Sequence, residues 1–130
     1  MPQSQTILCV DDEALGLQVR KTVLERAGYQ VFTALNGQSA IDLFKKTSVD
    51  VVVLDYFMPG MDGGQVAAAM REVRKSIPIL LLSAYIDLPS EVIALADITM
   101  LKGEGPDELL SKVKTLLIRD DARPEQGSYR

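Results

Sequence analysis

The chain repeats one pattern about five times: a short apolar run followed by an amphipathic stretch with helical spacing. The apolar runs cover residues 6–10, 30–34, 51–54, 79–82 and 98–101. They are too short for ordinary helices, and the third is too uniformly apolar and β-branched for a strand with one wetted face. The pattern therefore predicts five strands, with the third strand covered on both faces.

The first amphipathic stretch predicts a helix over residues 14–27 that ends at Gly28. A spacing of i, i+4 and i+8, widened by two leucines, indicates its buried face, which consists of Leu15, Leu17, Val19, Val23 and Leu24. A second helix is expected after Asn36, a residue type that caps helix N-termini. Its predicted buried residues are Ala40, Ile41 and Phe44.

Three further helices are predicted in the second half of the chain. One follows a turn rich in glycine and closes before Pro78, with a buried stripe of Val66, Met70 and Val73. A short helix is expected over residues 89–95. The last begins near Pro106 with acidic residues in its first turn, and its apolar stripe consists of Leu109, Leu110, Val113, Leu116 and Leu117.

Regular alternation of strands and helices predicts an α/β fold with right-handed crossovers and helices on both faces of a parallel sheet. The expected architecture is a flavodoxin-like, doubly wound sheet of five strands in the order 2-1-3-4-5, with five helices. We expect residues 6–118 to form one domain. Residues 1–5 and 119–130 lack apolar periodicity and are predicted to be flexible tails.

Composition narrows the class of protein. The chain has 130 residues, 47% of them apolar, and its apolar runs are far shorter than the ~20 residues that span a bilayer. A net charge of −4 without clustered Lys and Arg argues against direct nucleic-acid binding. One cysteine, Cys9, excludes an internal disulfide framework, and the amino terminus does not resemble a secretion signal. These features predict a soluble cytoplasmic protein that does not bind membranes.

Polar residues of complementary kinds end four of the predicted strands. Asp11 and Asp12 follow the first strand, Asp55 ends the third, Ser83 follows the fourth and Lys102 follows the fifth. Carboxyl ends of parallel strands share one edge of the sheet, where open α/β folds bind ligands. Three carboxylates at this edge would repel one another. Because the chain has no histidine, the pattern predicts a Mg²⁺ or Mn²⁺ ion held by oxygen ligands.

The same edge has the components of a phosphoryl-transfer site. Asp55 would be the nucleophile, while the Ser83 hydroxyl and the Lys102 ammonium would bind the transferred oxygens. Taken singly, each residue has an ordinary structural interpretation: Asp11 and Asp12 as a helix cap, the others as strand-end or solvated side chains. Neither capping nor solubility requires all of them to lie at the same edge, so their combination favours the site.

These residues resemble the receiver domain of two-component response regulators, of the single-domain type found in chemotaxis regulators. The resemblance covers residues 6–117. It rests on the Asp11-Asp12 pair, on Leu-Asp-Tyr-Phe-Met-Pro-Gly-Met-Asp-Gly at residues 54–63, on Leu-Leu-Ser-Ala at residues 81–84, and on Lys102. It implies that Asp55 accepts a phosphoryl group from the phosphohistidine of a sensor histidine kinase or a histidine phosphotransfer protein.

The resemblance also implies a set of ligands. Asp12, Asp55 and the backbone carbonyl of Phe57 would bind the metal directly, and Asp11 would act through a metal-bound water. Ser83 and Lys102 would contact the phosphoryl oxygens. Such a domain is not a classical enzyme, since it catalyses only its own phosphorylation and slow dephosphorylation. Its downstream partner is not specified by the sequence, and a monomer or a weak homodimer is expected.

Four residues, Phe57, Tyr85, Thr99 and Gly103, are expected to modulate the switch or the lifetime of the phosphoryl group. Gly103 replaces the proline that usually follows the family's lysine, which predicts either a trans Lys102–Gly103 bond in a remodelled loop or a strained cis bond. Thr99 replaces the family's switch aromatic, and Tyr85 is a possible substitute for it. The resemblance implies that the positions of Phe57 and Tyr85, two residues after Asp55 and two after Ser83, line the approach of water to the phosphoryl group. Both are large, and we expect them to slow hydrolysis by excluding water.

Two other classes of function share part of this pattern. A phosphatase of the haloacid dehalogenase type also uses a strand-end Asp nucleophile, but it requires a second Asp two residues later, where this chain has Phe57. A receiver-like adaptor that works without phosphorylation is the stronger alternative, since Thr99 and Gly103 depart from the family pattern. Such an adaptor would bind partners through the last two helices and the fifth strand, and would not need Asp55.

Overall fold

The computed structural model describes residues 4–85 and 87–122. Over these residues the chain forms five strands and five helices. The strands are β1 (Thr6–Val10), β2 (Gln30–Ala34), β3 (Val51–Asp55), β4 (Ile79–Ser83) and β5 (Ile98–Leu101). The helices are α1 (Ala14–Arg26), α2 (Gly37–Lys46), α3 (Gly63–Val73), α4 (Ser90–Ile93) and α5 (Pro106–Ala122).

The five strands form one parallel sheet in the order β2-β1-β3-β4-β5, which confirms the predicted fold class. Every residue of β1, β3 and β4 is buried. The register pairs Val10 with Leu54 and Asp55 with Leu82. The carboxyl ends of β1, β3 and β4 are therefore neighbours, and the residues that follow them lie at one edge of the sheet.

Alternate residues along each strand supply two layers of core, one on each face of the sheet. Leu8 and Val10 of β1 pack in the layer beneath α2 and α3, together with Phe44 and Met70. The neighbouring strand residue Cys9 packs on the opposite face, in the layer beneath α1 and α5. Burial of both faces explains why the central strands read as continuous apolar runs.

Local signals define where several helices begin and end. Gly28 has φ +102°, a left-handed conformation that favours glycine, and it follows the end of α1 as predicted. The Asn36 side chain accepts a hydrogen bond from the Ser39 N–H at 2.8 Å, which confirms it as the N-cap of α2. The start of α3 has a capping box, in which Asp62 and Gln65 each accept from the other's backbone N–H at 2.9 Å.

The predicted buried face of α1 is wrong in part. Leu17 and Leu24 are buried, but Leu15 is 80% exposed and Val19 is 54% exposed. The helix face that packs against the sheet carries Leu17 and Leu24, which are seven residues apart. The same face also carries Arg20. Because the sequence interpretation counted only apolar residues, it included Leu15 and Val19 in the buried stripe, and both are exposed.

Smaller differences concern element ends. In α3, Val73 is exposed rather than buried, because the helix ends there. The fourth helix covers Ser90–Ile93, shorter than the predicted 89–95. Helix α5 extends to Ala122, beyond the domain boundary predicted at residue 118.

Within the predicted amino-terminal tail, the Gln5 carbonyl accepts a hydrogen bond from the Gln30 N–H at 2.9 Å. Residues 1–3 and 123–130 of the predicted tails lie outside the described residues.

The stretch of chain that the structure describes contains no helix with both the length and the apolar character needed to cross a bilayer.

Candidate functional site

Three carboxylates converge at the carboxyl edge of the sheet. Asp11 and Asp12 follow β1, Asp55 is the last residue of β3, and one oxygen from each lies within 4.8 Å of the others. Asp11 is fully buried and Asp55 is 2% exposed, whereas Asp12 is exposed. Three carboxylate oxygens at this spacing are a donor set that suits a hard divalent cation such as Mg²⁺ or Mn²⁺.

The turn after β3 holds Asp55 in position through a close backbone contact. The Gly63 N–H donates to the Tyr56 carbonyl oxygen at 2.6 Å. A Cβ atom at Gly63 would lie 2.6 Å from the Asp55 carbonyl oxygen and 2.7 Å from the Tyr56 Cα. Glycine is therefore required there, because only a residue without a side chain allows α3 to start directly against the end of β3. In the same turn, Gly60 has φ +82°.

Lys102 bridges two of the carboxylates. Its Nζ lies 3.1 Å from Oδ2 of Asp11 and 3.2 Å from Oδ2 of Asp55, and it is 3.8 Å from the exposed carboxylate of Glu13. The Lys102 backbone N–H donates to the Ser83 carbonyl at 2.8 Å, which fixes the end of β5 against β4. Burial alone would lower the pKa of Lys102, but its two acidic partners outweigh burial and raise it. Lys102 is thus a fixed cation.

Asp11 is the most heavily engaged of the acids. Its Oδ1 accepts the Glu13 backbone N–H at 2.9 Å, and its Oδ2 faces both Lys102 and the guanidinium of Arg20. Burial opposes its ionisation. The hydrogen bond from Glu13 and the two cations outweigh burial and hold the pKa of Asp11 below its usual range. Asp11 is therefore a carboxylate at neutral pH.

Asp55 has the opposite electrostatic balance. Burial, followed by the negative charge of Asp11, raises the pKa of Asp55 from 3.8 to about 6, although Lys102 partly compensates. At neutral pH the site therefore holds two buried carboxylates whose repulsion is only partly relieved. A bound divalent cation would relieve the remaining repulsion between the carboxylates. The charges of these residues therefore fit a metal site.

Ser83 lies at the tip of β4, one residue beyond the partner of Asp55 in the register. It is buried, and its Oγ accepts the Tyr85 backbone N–H at 2.9 Å. Ser83 lines a groove of about 270 Å³ beside α4 and β5, and two of the four modulating residues, Tyr85 and Thr99, line it as well. Thr99 is exposed, so β5 presents a hydroxyl to this groove.

A larger cleft of about 560 Å³ opens above the acids. It is lined by Asp12, Glu13, Arg20, Asp55, Phe57, Ala84, Tyr85, Lys102 and Gly103. The Phe57 and Tyr85 side chains are both exposed, and both residues line this cleft. The cleft thus combines Asp12, Asp55, Lys102 and the two aromatic residues, while Ser83 lies along the neighbouring groove.

The Lys102–Gly103 peptide bond is trans, which is one of the two conformations predicted for the loop after Lys102. A tight turn follows β5, in which the Glu104 N–H donates to the Leu101 carbonyl at 3.1 Å. The Leu101 N–H in turn donates to the Glu104 carboxylate at 3.0 Å. Two hydrogen bonds thus hold this turn without the rigidity of a proline.

Arg20 is a site residue that the sequence analysis missed. It contacts Asp11 through Nη2 and lines the acidic cleft. Helical spacing was the available signal, because Arg20 lies three residues after Leu17 and four before Leu24, on the face that is buried. A cation in such a position needs an acidic partner, and Asp11 was already identified at the adjoining strand end.

Comparison with known proteins agrees with this geometry. Residues 7–114 match the family model described as the response regulator receiver domain. The chain therefore belongs to the response regulator receiver domain family, whose members are phosphoacceptor signalling domains rather than classical enzymes.

Curated relatives include the probable transcriptional regulator ycf27 of Porphyridium aerugineum, which is 34% identical over 92% of this chain and 50% of its own length. The alkaline phosphatase synthesis transcriptional regulatory protein PhoP of Bacillus subtilis is 35% identical over 91% of this chain and 50% of its own length. The chain spans about half the length of these curated relatives.

Solved structures show the same similarity. The response regulator protein TrrA of Thermotoga maritima, in complex with Mg²⁺-BeF, has 39% identity and a TM-score of 0.82, covering 87% of this chain and 99% of its own. The chemotaxis protein CheY4 of Vibrio cholerae has 32% identity and a TM-score of 0.83, covering 88% and 99%. These similarities extend over nearly the whole of each structural relative.

Proposed function

We propose that Asp55 accepts a phosphoryl group from the phosphohistidine of a sensor histidine kinase or a histidine phosphotransfer protein. A carboxylate oxygen of Asp55 forms the new bond to phosphorus as the phosphorus–nitrogen bond to the donor imidazole breaks. The observation that carries the proposal is the position of Asp55: a buried carboxylate at the end of β3, close to two other acids and 3.2 Å from a lysine ammonium. Family membership points to the same chemistry.

The proposed metal is Mg²⁺, with Mn²⁺ as an equivalent. Asp12, Asp55 and the Phe57 carbonyl would bind it directly, and Asp11 would act through a bound water. When bound, such a cation offsets negative charge on the phosphoryl oxygens and on the clustered carboxylates. The spacing of the three acids and the raised pKa of Asp55 support this ligand set. The Mg²⁺-BeF complex of the relative TrrA also supports it by analogy.

Lys102 and Ser83 are the proposed phosphoryl ligands. In the unphosphorylated protein Lys102 neutralises Asp11 and Asp55, and after transfer its ammonium would move to a phosphoryl oxygen. The Ser83 hydroxyl would donate to a second oxygen. Because Ser83 Oγ accepts the Tyr85 N–H, a shift of Ser83 toward the phosphoryl group would pull on the segment after β4.

This coupling suggests how phosphorylation switches the protein. Thr99 leaves β5 without an aromatic switch residue, and Tyr85 lines the same groove as Ser83 and Thr99. We infer that Tyr85 is the aromatic that moves, changing a partner-binding face made of α4, β5 and α5. The turn after Gly103 would move with it. The downstream partner would be another protein or another part of a longer polypeptide, and the site of action would be the cytoplasm.

Intact-mass measurement tests the proposal. We expect acetyl phosphate with Mg²⁺ to add one phosphoryl mass to the chain, and the Asp55→Asn variant to remain unmodified. Asp42→Asn is a matched control, because Asp42 is exposed on α2 and its recorded side-chain partner is Gln38. If the wild type is neither modified nor able to bind Mg²⁺, the proposal fails and the adaptor that works without phosphorylation is favoured.

A further inference from the structure

Arg20 lies on the inward face of α1, where apolar side chains are normal. It is 15% exposed and lies between the buried residues Leu17 and Leu24 along one helix face. A cation in such a position is costly unless it is paired. Its partner is Asp11, whose side chain has no exposed surface. The pair joins α1 to the carboxyl end of β1.

The guanidinium lies back along α1 toward the start of the helix. A Cβ at Gly16, one turn before Arg20, would lie 3.6 Å from both terminal nitrogens of the guanidinium. Alanine would just contact the group there. That distance is an ordinary van der Waals contact, so the guanidinium lies against the first turn of α1, where it is paired with Asp11.

The oxygens of Asp11 are shared by several groups. Oδ2 faces both the Arg20 guanidinium and the Lys102 ammonium, and Oδ1 accepts the Glu13 N–H. The three clustered acids are therefore accompanied by two fixed cations before any metal binds. Because lysine is already the proposed phosphoryl ligand, the positive charge of Arg20 is an addition that the phosphoacceptor chemistry does not require.

We propose that the positive charge of Arg20 lowers the affinity of the acidic cluster for divalent cations. Arg20 forms an ion pair with Asp11. Its positive charge repels a metal ion that would interact with the same carboxylate, and so weakens binding of that ion. This inference rests on the proposed function, since it takes Asp11, Asp12 and Asp55 as the metal site. It predicts that the protein requires more Mg²⁺ than it would with an uncharged residue at position 20.

The test compares Mg²⁺ affinities at fixed ionic strength by isothermal titration calorimetry. Arg20→Met removes the charge and keeps a long apolar side chain. The matched control is Lys21→Met, which removes the neighbouring cation of α1, paired with Glu25 at 3.4 Å. Arg20→Met is expected to bind Mg²⁺ about tenfold more tightly or better, on the scale of unit charges a few ångström apart. The control should change affinity by less than about twofold, because the Lys21 charge is paired with Glu25 and lies in a partly exposed position where salt screens it.

A second readout uses Mn²⁺, whose free-ion signal in electron paramagnetic resonance reports binding directly. The same order of affinities is expected. Arg20→Lys keeps a positive charge and should stay close to the wild type. Circular dichroism verifies folding of each variant, and Arg20→Gln replaces Arg20→Met if the methionine variant is unfolded.

The outcomes separate this inference from the proposed function. Equal affinities of the wild type and Arg20→Met overturn the role of Arg20 and leave the metal site standing. Weaker binding by Arg20→Met also overturns it, because Arg20 would then orient Asp11 for the metal. Binding only by Arg20→Met supports it most strongly. Failure of both proteins to bind either ion overturns the inference together with the proposed metal site.

Discussion

Lys102 and Asp55 meet across the carboxyl edge of the sheet, with 3.2 Å between Nζ and Oδ2. The same Nζ lies 3.1 Å from Oδ2 of Asp11, so one ammonium serves two buried carboxylates. Burial and then the negative charge of Asp11 raise the pKa of Asp55, and Lys102 offsets these effects only in part. Ionised Asp55 is therefore held at a cost in free energy, and that cost can be measured.

The first prediction concerns the stability of Asp55→Asn. The pKa of Asp55 in the folded protein is about 6, above the value of 3.8 for an unperturbed group. For a group with a raised pKa, the favourable contribution is present below the unfolded value and is lost as pH rises through the folded value. Ionised Asp55 thus destabilises the metal-free protein above pH 6. Asparagine should raise the unfolding free energy at pH 7.5 by up to about 3 kcal/mol.

Urea unfolding in the presence of a chelator measures this difference. The gain should shrink as pH falls from 6 toward 3.8 and approach zero near pH 3, because the wild-type carboxyl group is protonated in both states only below its unfolded pKa of 3.8. Asp42→Asn provides a control with the same chemical change at an exposed position. A gain that is the same at pH 4 and pH 7.5 would show that the ionisation of Asp55 is not its cause.

Gly63→Ala should damage the site through the backbone. The added Cβ would lie 2.6 Å from the Asp55 carbonyl oxygen and 2.7 Å from the Tyr56 Cα, and neither backbone atom can move alone. We expect a loss of about 1–3 kcal/mol of stability and weaker Mg²⁺ binding, because relief of the clash shifts the end of β3. Gly105→Ala is the control, since its Cβ would meet no described atom within 4 Å. Calorimetry of both variants distinguishes a local clash from a general effect of adding a methyl group.

Arg71 should be important for stability without affecting the site. Its guanidinium donates to the carbonyls of Leu95, Ile77 and Lys75 and to the Asp97 carboxylate, which also accepts the Ile79 N–H. Arg71→Met should cost about 2–4 kcal/mol, because several partly buried acceptors lose their donor. Mg²⁺ affinity of the folded variant should be unchanged. Denaturant unfolding and a Mg²⁺ titration check both statements, and a cost below about 0.5 kcal/mol would contradict them.

The lifetime of the aspartyl phosphate is the next prediction. Phe57 and Tyr85 flank the cleft above Asp55, and both side chains are large. Replacing Phe57 by Asn and Tyr85 by Glu should speed dephosphorylation, because water gains access to the phosphoryl group. The measurement is the decay of phosphorylated protein after the phosphodonor is removed. An unchanged decay rate in the double variant would show that these side chains do not limit access.

Much of the fold was predictable because strand and helix signals were local. Uniform apolar runs such as residues 51–54 indicate buried parallel strands, and strand alternation with helices then restricts the topology to a few forms. The site followed from the same logic, since Asp11, Asp55 and Lys102 end strands that must share one edge. These predictions depended on the order of residues along the chain and not on detailed packing.

Features created by packing were not predictable in the same way. The buried face of α1 was misplaced because Arg20, a charged residue, lies on the same face as Leu17 and Leu24, and a pattern that counts only apolar residues leaves it out. Arg71 joins α3 to the start of β5 through hydrogen bonds to residues as far as position 97, and no sequence spacing encodes such a contact. The ends of helices were also hard to predict, as α4 shows: it covers Ser90–Ile93, whereas a helix over residues 89–95 was predicted.

The central claim is that Asp55, and not a neighbouring carboxylate, carries the phosphoryl group. Borohydride reduces an aspartyl phosphate to homoserine with release of phosphate, and peptide mass mapping of this homoserine mark then locates the modified residue directly. We predict that the mark falls on Asp55 in the wild type, requires Mg²⁺, and is absent from Asp55→Asn. A mark on Asp11 or Asp12, or one that persists in Asp55→Asn, would contradict the account.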